Sequence, residues 1–230
     1  MSYLDVASGS VVSQLPGEKK AAFIRKTYGH LALAIAAFAL IEAQFIRMGV
    51  GAAMATVPHL VIMIGFVAVG FIADKWARSN VSQGLQYAGL GLYVVAFALV
   101  ASPLLHIAAT HAPSVIFNAA IITAALVTGI TAVVFTTRKD FSFLGPIVTI
   151  GLFVALGLIV ASSLFGFELG LYFAGAMILL MAASILWTTS NIVHVYREEQ
   201  HVAASLALFS SVAMMFYYIV YFLLSLASSD

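Results

Sequence analysis

The sequence predicts an all-α integral membrane protein with seven transmembrane helices. Three observations predict it. Only 8% of the 230 residues are charged and 63% are hydrophobic, whereas a soluble domain carries about 25% charged residues. That is too little charge to cover a water-facing surface, and the lipid bilayer is the solvent that suits such a chain. Second, seven apolar runs each reach the length of about 20 residues that one crossing needs. Lipid offers no partner to backbone groups, so each run must be a helix; none alternates apolar and polar residues as barrel strands do. Third, nine of the ten Lys and Arg residues fall in every other connection.

The chain opens with a polar stretch, residues 1–26, holding Pro16, Gly17, Glu18, Lys19 and Lys20. It lacks the apolar core of a cleaved signal and reads as a cytoplasmic tail. Its segment 18–26, basic with Phe23 and Ile24, is either the ordinary flank of the first span or a piece lying on an anionic inner leaflet. The first span, 27–46, then serves as an uncleaved signal-anchor. The second and third spans are 57–76 and 83–102. Residues 103–114 follow as the longest irregular piece, with His106 and His111 between Pro103 and Pro113, and 104–109 apolar enough to lie in the outer interface. The remaining spans are 115–137, 143–164, 169–194 and 202–226. Their connections are too short for an inserted soluble domain, so residues 27–230 form one seven-helix domain. Gly65, Gly70, Gly84, Gly89 and Gly91 are expected to let neighbouring helices approach closely.

Orientation follows from the positive-inside rule. With the N-terminus inside, the cytoplasmic segments hold Lys19, Lys20, Arg25, Lys26, Lys75, Arg78, Arg138, Lys139 and Arg197, and the far side holds only Arg47. An odd number of spans places Asp230 outside.

Composition also excludes several activities. Without Cys there is no disulfide, thiolate metal site or cysteine nucleophile. A net charge of +1 argues against a nucleic-acid partner. No phosphate loop, dinucleotide fingerprint, H-E-x-x-H or G-x-S-x-G pattern occurs. No catalytic residue, metal site or cofactor is therefore assigned, and the chain is not expected to be an enzyme.

Ionisable residues inside a membrane are the first place to look for function. Glu42 is the one carboxylate clearly within a span, about 22 Å along the first helix from its inner edge. It either reaches the outer interface or Arg47, or is a protonatable site in a cavity. Asp74, Asp140, Glu168, Glu198 and Glu199 read as peripheral solvated charges. His194 and His201 flank the short turn 195–200, where they can approach each other and sense pH; they also suit polar loop anchors, as does His30. The best polar constellation is a seam between the last two spans. Ser184, Thr188 and Asn191 share one helix face by their spacing, as do Ser211, Met215 and Tyr218. Thr188 and Ser211 are both expected roughly 12–14 Å deep on antiparallel neighbours, where they can meet.

Two stretches are more specific than apolar sequence in general. One is Thr136-Thr137-Arg138-Lys139-Asp140-Phe141-Ser142-Phe143-Leu144-Gly145; the other is Ile185-Leu186-Trp187-Thr188-Thr189-Ser190-Asn191-Ile192-Val193-His194, followed by 203–208. With Arg25-Lys26-Thr27-Tyr28 before the first span, they resemble the Bax inhibitor family of seven-helix membrane proteins, in particular its bacterial YccA-like branch. The resemblance implies six helices surrounding a central seventh, and a bacterial inner membrane with a periplasmic C-terminus. It brings two functional expectations. One is a pH-sensitive leak for Ca²⁺ or another cation, gated by an acidic pair on the sixth and seventh helices. The other is modulation of a membrane-bound ATP-dependent protease of the FtsH type. In this chain the two acids fall at Thr188 and about Ser211. Hydroxyls cannot share a proton as carboxylates do, and they bring no charge to hold Ca²⁺. The first expectation is therefore a non-enzymatic inner-membrane protein that binds and modulates other membrane proteins, in protease quality control or as an accessory subunit, with the tail as a grip for the partner. The cation leak is the alternative, and would need Glu42 or the Thr188/Asn191/Ser211 seam.

Overall fold

A computed structural model describes residues 11–79, 82–137 and 139–227. Residues 1–10 of the tail, Arg138 and Asp230 lie outside the described residues. A short 3-10 turn, Val12–Gln14, leads into eight helices: α1 Gly17–Met48, α2 Val50–Met54, α3 His59–Ala77, α4 Gln83–His111, α5 Pro113–Thr137, α6 Leu144–Phe165, α7 Gly170–His194 and α8 His201–Ala227. All but the five-residue α2 are long and apolar enough to cross a membrane. The seven predicted spans are thus present, in order.

Two boundaries differ from the expectation. Residues 17–26 are not a separate tail but the first turns of α1. Pro16 starts the helix, its carbonyl taking the Lys20 N–H at 3.0 Å, and no breaker follows before Gly49. At 32 residues, α1 is about 48 Å long, more than the roughly 30 Å of bilayer hydrocarbon. Its basic first turns therefore fit the flank of a span that overhangs the membrane. Residues 103–111 are likewise helical, as the last turns of α4, rather than irregular. Pro103 has no N–H for the Leu99 carbonyl. The neighbouring Ser102 hydroxyl donates to that carbonyl instead, at 3.0 Å, and the helix runs on through the proline.

The last helix is the centre. Its most apolar window is 56% buried, against 11–44% for the other spans, and it packs on α1, α3, α4, α5 and α7. Both small and large side chains line it: Ala203, Ala204 and Ser205 are completely enclosed, as are Phe209, Met215 and Val220. α6 sits at the periphery, against α7 and α3. α3 and α4 form a tight hairpin closed by Ser82, whose Oγ accepts the Leu85 N–H at 3.2 Å. Gly89 makes their approach possible: a Cβ there would stand 2.6 Å from the Ala73 carbonyl oxygen. Of the other glycines expected to do this, Gly70 meets only the Tyr93 ring, at ordinary distance, and Gly65, Gly84 and Gly91 face open space.

The N-terminus of α1, the C-terminus of α3 and the turns before α6 and α8 share one end of the bundle. This end carries Lys19, Lys20, Arg25, Lys26, Lys75, Arg78, Lys139 and Arg197. The turn before α8 is held from outside the bundle. Val11 bridges to Arg197, the Val12 N–H donates to the Tyr196 carbonyl at 2.9 Å, and the Val12 side chain is fully buried. Lys19 pairs with Glu198 at 3.3 Å in an exposed setting, and Arg78 pairs with Asp74 at 2.8 Å.

Candidate functional site

The polar seam between α7 and α8 exists, with a shifted partner. Ser211 meets Ser184, not Thr188: the two hydroxyl oxygens are 2.8 Å apart and buried. The register explains the difference. α7 ends at His194 and α8 begins at His201, so Ser184 and Ser211 each stand ten residues from the turn. Thr188 stands only six from it, buried on the same α7 face one turn nearer the basic end. Ser211 is also within 3.2 Å of the Ala207 carbonyl, so donors and acceptors are balanced without any ion. Asn191 serves the turn through its carbonyl, which accepts the N–H groups of Val195 and Tyr196. The α7–α8 seam is therefore neutral where two carboxylates would make a charged gate.

The two sequence stretches that carry the family resemblance lie against each other. Ser190 accepts the Phe141 N–H at 2.9 Å and lies 3.4 Å from an Asp140 carboxylate oxygen. The same oxygen accepts the Ser142 N–H at 2.9 Å. That backbone donor is the main reason the Asp140 carboxyl is held below its ordinary range, with the nearby His194 adding to it. Asp140 is thus a fixed turn-former rather than a merely solvated charge. Gly145 completes the joint, because a Cβ there would lie 3.0 Å from the Trp187 ring.

The two turn histidines do not come together. His194 turns back on its own helix, its Nδ1 3.0 Å from the Ser190 carbonyl. His201 is buried and packs instead against His30 of α1, ring centroids 5.2 Å apart. His30 donates through Nδ1 to the Lys26 carbonyl at 2.6 Å, and its Nε2 lies 3.2 Å from the Tyr87 hydroxyl. This Tyr87–His30–His201 stack joins α4, α1 and α8 at the basic end. Sequence spacing offers no signal for it, since the three residues sit far apart in the chain. The same holds for Tyr28 of α1, whose hydroxyl faces Thr131 and Thr189.

Glu42 does not reach the interface or Arg47. It is 4% exposed and neither carboxylate oxygen has a hydrogen-bond partner. It lines a cavity of about 520 Å³ walled by α1 and α5 and floored by α8. At the basic end α1 and α5 meet through the Tyr28 and Phe135 rings, 6.0 Å apart; the cavity opens between them farther along. Among the described residues, no group of three or more His, Asp or Glu side chains is placed to hold a metal ion.

Seven apolar helices, the last of them buried at the centre, with a neutral hydroxyl seam and a motif-built turn at the basic end, define a polytopic integral membrane protein. A family profile described as "Inhibitor of apoptosis-promoting Bax1" matches residues 20–228, and the chain belongs to this Bax inhibitor family. It is similar to an uncharacterized protein of Pseudomonas aeruginosa, 31% identical over 197 residues that cover 84% of each chain. A protein of Pasteurella multocida is 30% identical over 192 residues, 82% of each chain. Protein lifeguard 4 of Mus musculus is 25% identical over 231 residues, 95% of this chain and 91% of that one. No solved structure matches significantly.

Proposed function

We propose that this chain is a non-enzymatic protein of a bacterial inner membrane that acts by binding and modulating other membrane proteins, with its basic end in the cytoplasm. The partner is a membrane-bound ATP-dependent protease or a larger membrane complex that the chain joins as an accessory subunit. The observation that carries the reading is the Ser184–Ser211 pair, 2.8 Å apart. A proton-switched cation gate needs carboxylates that repel when ionised and share a proton when not. Two hydroxyls change charge at no physiological pH and hold Ca²⁺ poorly. With a neutral seam between α7 and α8, this reading places the action of the protein at its surfaces.

The test is gentle-detergent purification of the tagged chain from its native membrane, with mass spectrometry of what travels with it. A near-stoichiometric membrane protease or complex is expected. A lone chain that passes Ca²⁺ when reconstituted in liposomes refutes the reading. That second result is what the alternative, a cation leak, requires, and Glu42 is the observation that favours it. However, the Glu42 cavity rests on Phe209, Val212, Ala213 and Phe216 of α8, whereas Ser211 faces α7. At 3.6 residues per turn these are opposite sides of the helix, so α8 itself separates the two.

A further inference from the structure

The cavity holding Glu42 has the build of a ligand site. Its walls are two helical stripes, including Ile35 and Ile46 of α1 and Thr123 and Val127 of α5, above Phe209 and Ala213 of α8. At about 520 Å³ it falls within the range of small-molecule pockets, roughly 300–1,000 Å³. It is apolar throughout apart from hydroxyls and one carboxylate. The buried hydroxyl, Thr123, already donates to the Ala119 carbonyl at 2.7 Å. Glu42 alone is left buried and unpartnered, with both oxygens free to accept. The cavity's rim is made of small exposed residues, Ala39 and Ala43 on α1, Ala120 and Ala124 on α5. They leave a slot between the two helices that faces the lipid side of the bundle.

Such a site discriminates among lipid-soluble molecules. A neutral apolar molecule would fill the walls and leave both carboxylate oxygens without donors. An uncompensated carboxylate is costly in hydrocarbon. A ligand with an apolar body and one ammonium group supplies the donors and the opposing charge together. We propose that this cavity is a binding site for lipophilic amines that enter from the bilayer between α1 and α5, with Glu42 as their counter-ion. This inference stands apart from the partner reading above, since it concerns the opposite face of α8.

The experiment uses monodansylcadaverine, a fluorescent apolar primary amine, and its N-acetyl derivative, which keeps the body and loses the charge. Each is titrated into the purified full chain in detergent, following dansyl emission. Wild type is expected to bind the amine about tenfold more tightly than the acetylated compound, as for one charge-assisted hydrogen bond in a dry site. Glu42→Gln keeps the shape and should abolish the preference. Ala213→Phe fills the cavity and should block both compounds. Equal affinities for the two probes in wild type, no binding of either, or an amine preference that survives Glu42→Gln would overturn the proposal.

Discussion

Gly89→Ala tests how far the α3–α4 hairpin depends on a missing side chain. An added Cβ would stand 2.6 Å from the Ala73 carbonyl oxygen and 2.8 Å from the Ala77 nitrogen. The first is about 0.8 Å short of the 3.4 Å at which ordinary contact begins. Both obstructing atoms are backbone, so neither can swing aside; α3 must move as a body. Overpacking costs about 1–3 kcal/mol, and a rigid obstruction belongs near the upper figure. Alanine returns about 1 kcal/mol of helix propensity over glycine. The net loss is about 2 kcal/mol, or roughly 4–8 °C in Tm at about 2–4 °C per kcal/mol for a chain of this size. Gly91→Ala is the control two residues along the same helix, where a Cβ meets nothing within 4 Å. It should leave Tm unchanged or raise it slightly. Thermal unfolding of the two variants in one detergent decides the matter. If both melt alike, the close approach of α3 and α4 does not depend on Gly89.

The other expectations concern the seam, the turn and the buried acid. A double-mutant cycle of Ser184→Ala and Ser211→Ala should show coupling of about 0.6 kcal/mol; no coupling in a denaturation series would mean the hydroxyls do not bond. Replacing Glu42 with Leu removes two unbonded buried oxygens and should stabilise the protein by about 1–3 kcal/mol, read as a higher Tm; a lower Tm would show that the carboxylate has a partner. Asp140 has a depressed carboxyl in the folded state, so its contribution is complete above its ordinary value of 3.8 and disappears as pH falls through the lower folded value. Trp187 emission in a Trp76→Phe background should report loosening of the turn only below that pH, and Asp140→Asn should abolish the acid transition. Lys19→Ala should change stability by no more than about 1 kcal/mol, because its ion pair is exposed.

The helices were legible because lipid leaves the backbone no alternative, and length with apolarity is then enough. The ends were less so. Pro103 looks like a stop in sequence, and only the position of the Ser102 hydroxyl shows how the helix continues. In the seam, Ser184 and Ser211 meet, Thr188 lies one helical turn nearer the basic end and Asn191 bonds through its backbone carbonyl, because spacing within one helix does not give the register across the turn between α7 and α8. Glu42 was recognisable as unusual, but whether it snorkels or lies buried depends on α5 and α8, which sequence spacing does not bring to it. The glycines show the same limit: Gly89 and Gly91 look alike until α3 is in place. The two family stretches were specific in sequence for a reason the structure makes plain, since Asp140, Phe141 and Gly145 are fitted to Ser190 and Trp187.

The central position of α8 has a consequence for how the protein is made. The helix that fills the middle is the last of the seven spans to be synthesised. Until it enters the bilayer, the earlier spans lack the surface around which they close, and residues such as Phe38 and Phe97, packed on Phe209, still face lipid. Because Val12 and Lys19 hold the turn that introduces α8, the earliest part of the chain waits for one of the latest. A nascent chain arrested before residue 201 should therefore remain open to lateral exchange with other membrane segments and to proteolysis, and only the arrival of the seventh span commits it.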